Sequence, residues 1–221
     1  MHDQGNRIQR LPTLGLWVLP LVLALAIPGV GVLGSFGIVV AMLIFHRDAR
    51  NATLRLWKRG PVTSLLIGLA VGVVTHFLMS ALLEPALQHM LGQQVDLSQF
   101  DTVKNNLANY LVLLAIGLLF GGIVEELIFR GYIIGWGTKL LGARTGPILA
   151  VVSATVFGLA HSYQGVAGML STGLIGLIFG LTYLAVGRKL APAIFAHMTI
   201  NALGITELYL GHSFVAPLFT A

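Results

Sequence analysis

Residues 107–132 read LANYLVLLAIGLLFGGIVEELIFRGY: an apolar run from Leu107 to Ile123 that meets Glu125, Glu126 and Arg130 within six residues. The run has the length and composition of a membrane helix. An ionised side chain near the bilayer centre costs roughly 2.5 to 3.5 kcal/mol, so three together need a return. Such groups are functional candidates by default, and here an internal partner can be named. On a helix Glu126 and Arg130 are i, i+4 neighbours in the favourable acid-before-base order. Glu125 stands about 100° further round and lacks that partner. The stretch predicts an all-α membrane fold in which one carboxylate is held and its neighbour is free to react.

The rest of the composition agrees. Of the 221 residues 56% are hydrophobic and 10% charged, and the mean hydropathy is +0.87. A soluble domain carries about 25% charged residues, so a polytopic helical bundle of about seven or eight spans is expected. The absence of cysteine excludes disulfides, a thiol nucleophile and thiolate metal ligands. The net charge of +5 is not a nucleic-acid signal, because most of it is juxtamembrane arginine and lysine, which marks topology and contacts anionic lipid.

Leu11 to Phe45 is too long for one span and holds the turn signal Pro28-Gly29, so two spans are predicted. Ala24-Leu25-Ala26 resembles a signal-peptide cleavage site, but the apolar run continues past it and a retained segment is preferred. The linker 46–60 carries Arg47, Arg50, Arg55, Lys58 and Arg59 against Asp48. It and the N-terminus are expected on the cytoplasmic face. Pro61 to Leu83 is a third span. The loop from Glu84 to Asn106, with Glu84, Asp96 and Asp101 against Lys104, suits the opposite face. Further spans follow from Leu107 toward Lys139, over Gly146 to Ala160, over Gly165 to Val186 and over Leu190 to Leu203. Residues 204–221 read as a frayed eighth helix or an interfacial segment. Residues 1–106 thus form N-terminal membrane helices and 107–221 the helical core that holds the charged cluster, within one integrated membrane domain.

Two polar pairs join the carboxylates. Phe157 and His161 are i, i+4 near the end of one span, and His197 and Asn201 are i, i+4 on one face of another. Residues 125 and 161 are symmetric about Gly142-Ala143-Arg144, so straight helices folding there bring Glu125 and His161 to one depth, about 27 Å from the turn. His197 lies eight residues beyond Lys189, a depth nearer 12 Å. The two depths disagree.

Taken in order, Glu125-Glu126-x-x-x-Arg130, Phe157-x-x-x-His161 and His197-x-x-x-Asn201 resemble the three-motif signature of the CAAX protease and bacteriocin-processing (CPBP, or Abi) family, which includes the type II CAAX prenyl endopeptidases. The resemblance covers roughly residues 107 to 205. It implies an intramembrane protease in which a glutamate activates water. Its prenyl branch acts on C-terminal prenylated CAAX peptides; processing of bacteriocin leaders or other membrane peptides is an equal alternative.

The residues support the same chemistry directly. Amide hydrolysis needs an activated water, a proton donor for the leaving nitrogen and donors for the oxyanion. A carboxylate in apolar surroundings is the stronger base, so Glu125 is the expected general base. His161 orients or activates the water, and His197 and Asn201 donate to the oxyanion. Glu126 and Arg130 are a structural pair, and Phe157 shapes the pocket around His161. Glu125, His161 and His197 would also serve as zinc ligands with an open fourth position. HExxH is absent, and metal-free catalysis with no cofactor is preferred. No GxSxG points to a serine mechanism. His76 reads as a packing or interhelical hydrogen-bonding residue, and Tyr163, Gln164, Glu207 and His212 as loop or interfacial polar groups. The expected partners are membrane lipids and a membrane-associated or lipidated peptide; no oligomeric state is legible. The rival readings are a proton- or ion-coupled transporter and a non-catalytic immunity or scaffold protein.

Overall fold

The computed structural model describes residues 2–27 and 30–216, with side chains from Thr13 onward. No strand occurs among the described residues, so the all-α fold is as expected. Helix α1 (His2–Ala26) packs against α2 (Gly31–Phe45); the Pro28–Gly29 turn between them lies outside the described residues. His46 breaks the chain in an extended conformation, and α3 (Arg47–Thr53) departs at 114° to α2. The His46 imidazole caps α3 by accepting from the Ala49 amide at 3.2 Å, which satisfies one of the amides a helix start leaves unpaired.

Five long helices follow: α4 (Pro61–Leu91), α5 (Leu107–Leu141), α6 (Gly146–Ala160), α7 (Gly165–Ala185) and α8 (Leu190–Leu210). By length and composition the described residues hold five helices able to cross a membrane, or six if the bent α2–α3 pair is one broken span. The expected seven or eight are not reached, for two reasons. The N-terminal apolar stretch divides into apolar pieces, Thr13–Ala26 and Gly31–Phe45, each short of the roughly 20 residues a span needs. Residues beyond 203 form no eighth helix within the described range; they continue α8 to Leu210.

The α4 helix is longer than the sequence suggests, because Glu84 to Leu91 is helical rather than loop. Pro85 does not end it. Proline lacks the amide and its ring crowds the carbonyl four residues back. The turn before it, Met79–Leu83, widens to π-helical bonding and relieves that crowding.

Backbone bonds between connections define the two ends of the bundle. At one end the Leu190 and Ala191 amides donate to the Arg55 and Leu56 carbonyls at 2.8 and 3.0 Å. Lys139 meets Asp48 at 2.6 Å, and Arg188 donates to Thr138 at 2.5 Å. At the other end the Asn105 amide donates to Tyr209 and the Asp96 amide to Gln164, both at 3.0 Å. The long helices therefore alternate in direction. The first end carries the basic linker with Arg144, Arg188 and Lys189; the second carries Asp96, Asp101 and Glu207 against Lys104.

The α5 helix is the central pillar, and its two halves differ. The early half exposes Leu107, Leu111, Val112 and Ile116. Ile128 to Trp136 is buried throughout, enclosed by α1, α2, α3 and α6. Trp17 donates to the Ile133 carbonyl at 3.2 Å, and Tyr132 donates to Leu16 at 3.0 Å, which tie α1 to this pillar. Gly117–Glu125 and Leu127–Trp136 are both π-helical. Such turns are rare and occur most often at functional sites. The charged cluster thus sits inside protein, where polar partners are available, rather than facing lipid.

Small residues permit the close crossings. A side chain at Gly158 of α6 would run into the Met169 carbonyl of α7 and stand 3.1 Å from the Gly173 amide nitrogen. Without a hydrophobic drive between helices in lipid, this close approach is what holds such pairs together.

Candidate active site

Glu126 is the fully buried centre of the site, at 0% exposure. Its Oε1 accepts from Arg130 Nη1 at 2.7 Å and from His197 Nδ1 at 2.8 Å. Arg130, equally buried, also donates Nη2 to the Gly176 carbonyl at 2.8 Å. Its guanidinium lies between the rings of Phe157 and Phe179, 5.0 and 5.7 Å from their centroids. One arginine therefore ties α5 to α6 and α7 through charge, hydrogen bonding and cation–π contact. Glu126 Oε2 and Arg130 Nε are buried without partners.

The His197 link is the feature the sequence reading lacked. With Nδ1–H donated to Glu126, the neutral ring has its lone pair on Nε2. That nitrogen stands 3.7 Å from Glu125 Oε2. Both carboxylates therefore reach one imidazole from opposite ring nitrogens. The wider π turn accounts for this: it reduces the angle between consecutive residues below the 100° of an α-helix, so Glu125 and Glu126 both face α8. It also resolves the disagreement in depth. Turns with i to i+5 bonds advance less per residue, which shortens the stretch of α5 between Glu125 and the basic end, and His197 lies level with both carboxylates.

Asn201, one turn beyond His197, donates Nδ2 to the Gly117 carbonyl at 2.8 Å. The approach depends on Gly121, where a side chain would strike the Asn201 amide and lie 3.4 Å from His197 Nε2. Gly117 and Gly121 were not singled out from the sequence; their spacing of four, a small-xxx-small pattern, was the available signal.

His161 caps the end of α6, with Nδ1 on the Phe157 carbonyl at 2.7 Å. If Nδ1 carries the proton, Nε2 is an acceptor. The Phe157 ring lies 4.8 Å from the His161 ring and 5.9 Å from the His197 ring, so one phenyl group packs against both imidazoles. His161, His197, Asn201 and Phe157 line a half-open cavity of about 810 Å³. Glu125 is not among its lining residues; its side chain is 15% exposed and meets the chamber through His197.

The zinc ligand set Glu125, His161 and His197 does not assemble. Among the described residues no three His, Asp or Glu side chains stand where one cation could bind them all.

Fold and site together define a membrane-type helical bundle with a largely buried acid–imidazole–acid line at the wall of a half-open chamber. Residues 107–203 match the family model described as type II CAAX prenyl endopeptidase Rce1-like. No curated protein and no solved structure matches the chain. The apolar helices and the family match fit an integral membrane protein.

Proposed function

We propose that the protein is an intramembrane endopeptidase that hydrolyses peptide bonds of membrane-associated or prenylated CAAX-type substrates. The observation that carries the reading is the single imidazole of His197 held between Glu126 at 2.8 Å and Glu125 at 3.7 Å. The Rce1-like match supports the peptidase class.

In this reading Glu125 takes a proton from water as the oxygen attacks the scissile carbonyl carbon. His161 Nε2 accepts a hydrogen bond from that water and orients it. The proton passes to His197 Nε2, whose imidazolium form Glu126 stabilises. The tetrahedral oxyanion is met by this imidazolium and by the Asn201 amide. The proton then goes to the leaving nitrogen as the C–N bond breaks, and the residues return to their starting state. Arg130 holds Glu126 in place through its hydrogen bond to Oε1. No cofactor is required, lipids are the surroundings, and nucleic acid is not a partner. The basic end is assigned to the cytoplasmic face.

The test is Glu125→Gln in purified protein, assayed on prenylated and unprenylated peptide panels in liposomes. Loss of general-base catalysis predicts a rate lower by about 10²- to 10⁴-fold with the unfolding temperature unchanged. Wild-type protein that cleaves nothing yet carries protons or solute across the same liposomes would overturn the reading in favour of a transporter.

A further inference from the structure

The chamber has a second polar end that hydrolysis does not use. His76 and Glu84 of α4 and Glu207 of α8 all line it. His76 and Glu84 are two helical turns apart and so share a face. His76 Nε2 meets Glu207 Oε1 at 3.2 Å. The same oxygen accepts from Ser213 Oγ at 2.8 Å and from the Phe214 amide at 2.6 Å. Glu84 has one weak donor, the Gln88 amide at 3.4 Å.

Among the described residues no lysine or arginine pairs with Glu84 or Glu207. Lys104 also lines the chamber, with its Cδ, Cε and Nζ lying over Gly211 at the end of α8. Two carboxylates facing this half-open cavity without a lysine or arginine paired to either are expensive, and acids so placed mark substrate or ion paths. An independent observation points the same way. Ser171 of α7 lines this chamber, is 5% exposed, and its hydroxyl has no partner. Its helix packs directly against Glu84–Leu91.

The spacing sets a register. Glu207 lies ten residues beyond His197 on α8, about 15 Å along a helix. An extended peptide covers that distance in roughly four to five residues. We propose that Glu84 and Glu207, with His76, form a subsite for a cationic side chain of the substrate, a lysine or arginine four to five residues from the scissile bond. The inference rests on the peptidase reading for its register, but the subsite itself is read by binding.

The experiment uses the full chain carrying Glu125→Gln, in nanodiscs, with lipid-anchored peptides in which one lysine, its acetyl-lysine counterpart or norleucine is moved along the sequence. Binding is followed by fluorescence anisotropy. A charge-assisted contact predicts that lysine at one or two adjacent positions binds at least about tenfold tighter than acetyl-lysine. The preference disappears when Glu84→Gln or Glu207→Gln is added, with helix content and unfolding temperature checked for each. The scissile bond, mapped by mass spectrometry with wild-type protein, lies four to five residues from the preferred lysine. No difference between lysine and acetyl-lysine in the folded Glu125→Gln protein overturns the subsite, whatever the added variants do. A preference that survives both substitutions overturns it as well. Lysine-selective binding without cleavage by wild-type protein keeps the subsite and overturns the peptidase reading instead.

Discussion

One oxygen of Glu126 takes two donors, Arg130 and His197, and that sharing separates the roles of the adjacent glutamates. Removing one partner of a buried pair leaves the other charge stranded, worth about 3 to 5 kcal/mol. Arg130→Met is therefore expected to lower stability by about that amount, measured by unfolding in detergent. The double variant Glu126→Gln/Arg130→Met is expected to lose less than the sum of the singles, because neither charge is then left alone. The i, i+4 relation of Glu126 and Arg130 was legible because it needs nothing beyond a helix. The link from Glu126 to His197 was not, since it joins residues 71 apart in sequence and depends on where α8 begins. The Glu125 side chain is 15% exposed, and its carboxylate stands 3.7 Å from His197.

At the scale of elements, the π-helical turns of α5 and the glycine crossings set the geometry. Gly121→Ala puts a methyl against the Asn201 amide and 3.4 Å from His197 Nε2. The expected result is loss of peptide cleavage with helix content retained, read by circular dichroism beside the assay. Gly158→Ala meets the Met169 carbonyl and Gly173 backbone of α7, which cannot rotate aside. Overpacking of this kind costs about 1 to 3 kcal/mol, visible as a lower unfolding temperature. The start of α4 was readable from Pro61. The widened turns were not, because an apolar run looks alike whether its bonds reach four residues or five. Polarity places Glu84 in a loop, whereas the opened turn before Pro85 lets the helix continue through it.

At the scale of the molecule, alternating helices place the basic connections at one end and the acidic ones at the other. The chain has no cysteine, so single cysteines report sidedness without background. Arg59→Cys and Arg144→Cys are expected to react with an impermeant maleimide from one face of sealed vesicles, and Gln99→Cys from the opposite face. Labelling of all three from one side would refute the alternation. Charge counting foresaw this polarity from Arg47 to Arg59 onward. It could not foresee that the N-terminal apolar stretch divides into two pieces each too short to cross alone, since helix lengths there depend on a break and a sharp bend.

The pairing of Arg130 with Glu126 has one further effect. Their charges cancel, so the site's electrical balance is left to Glu125 and His197. A proton taken from water and handed between those two moves charge within the site without changing its sum. In the proposed cycle water and an uncharged amide enter, and no counter-ion has to follow the chemistry into the bundle. The reaction would then be electroneutral at every step and indifferent to the voltage across the membrane.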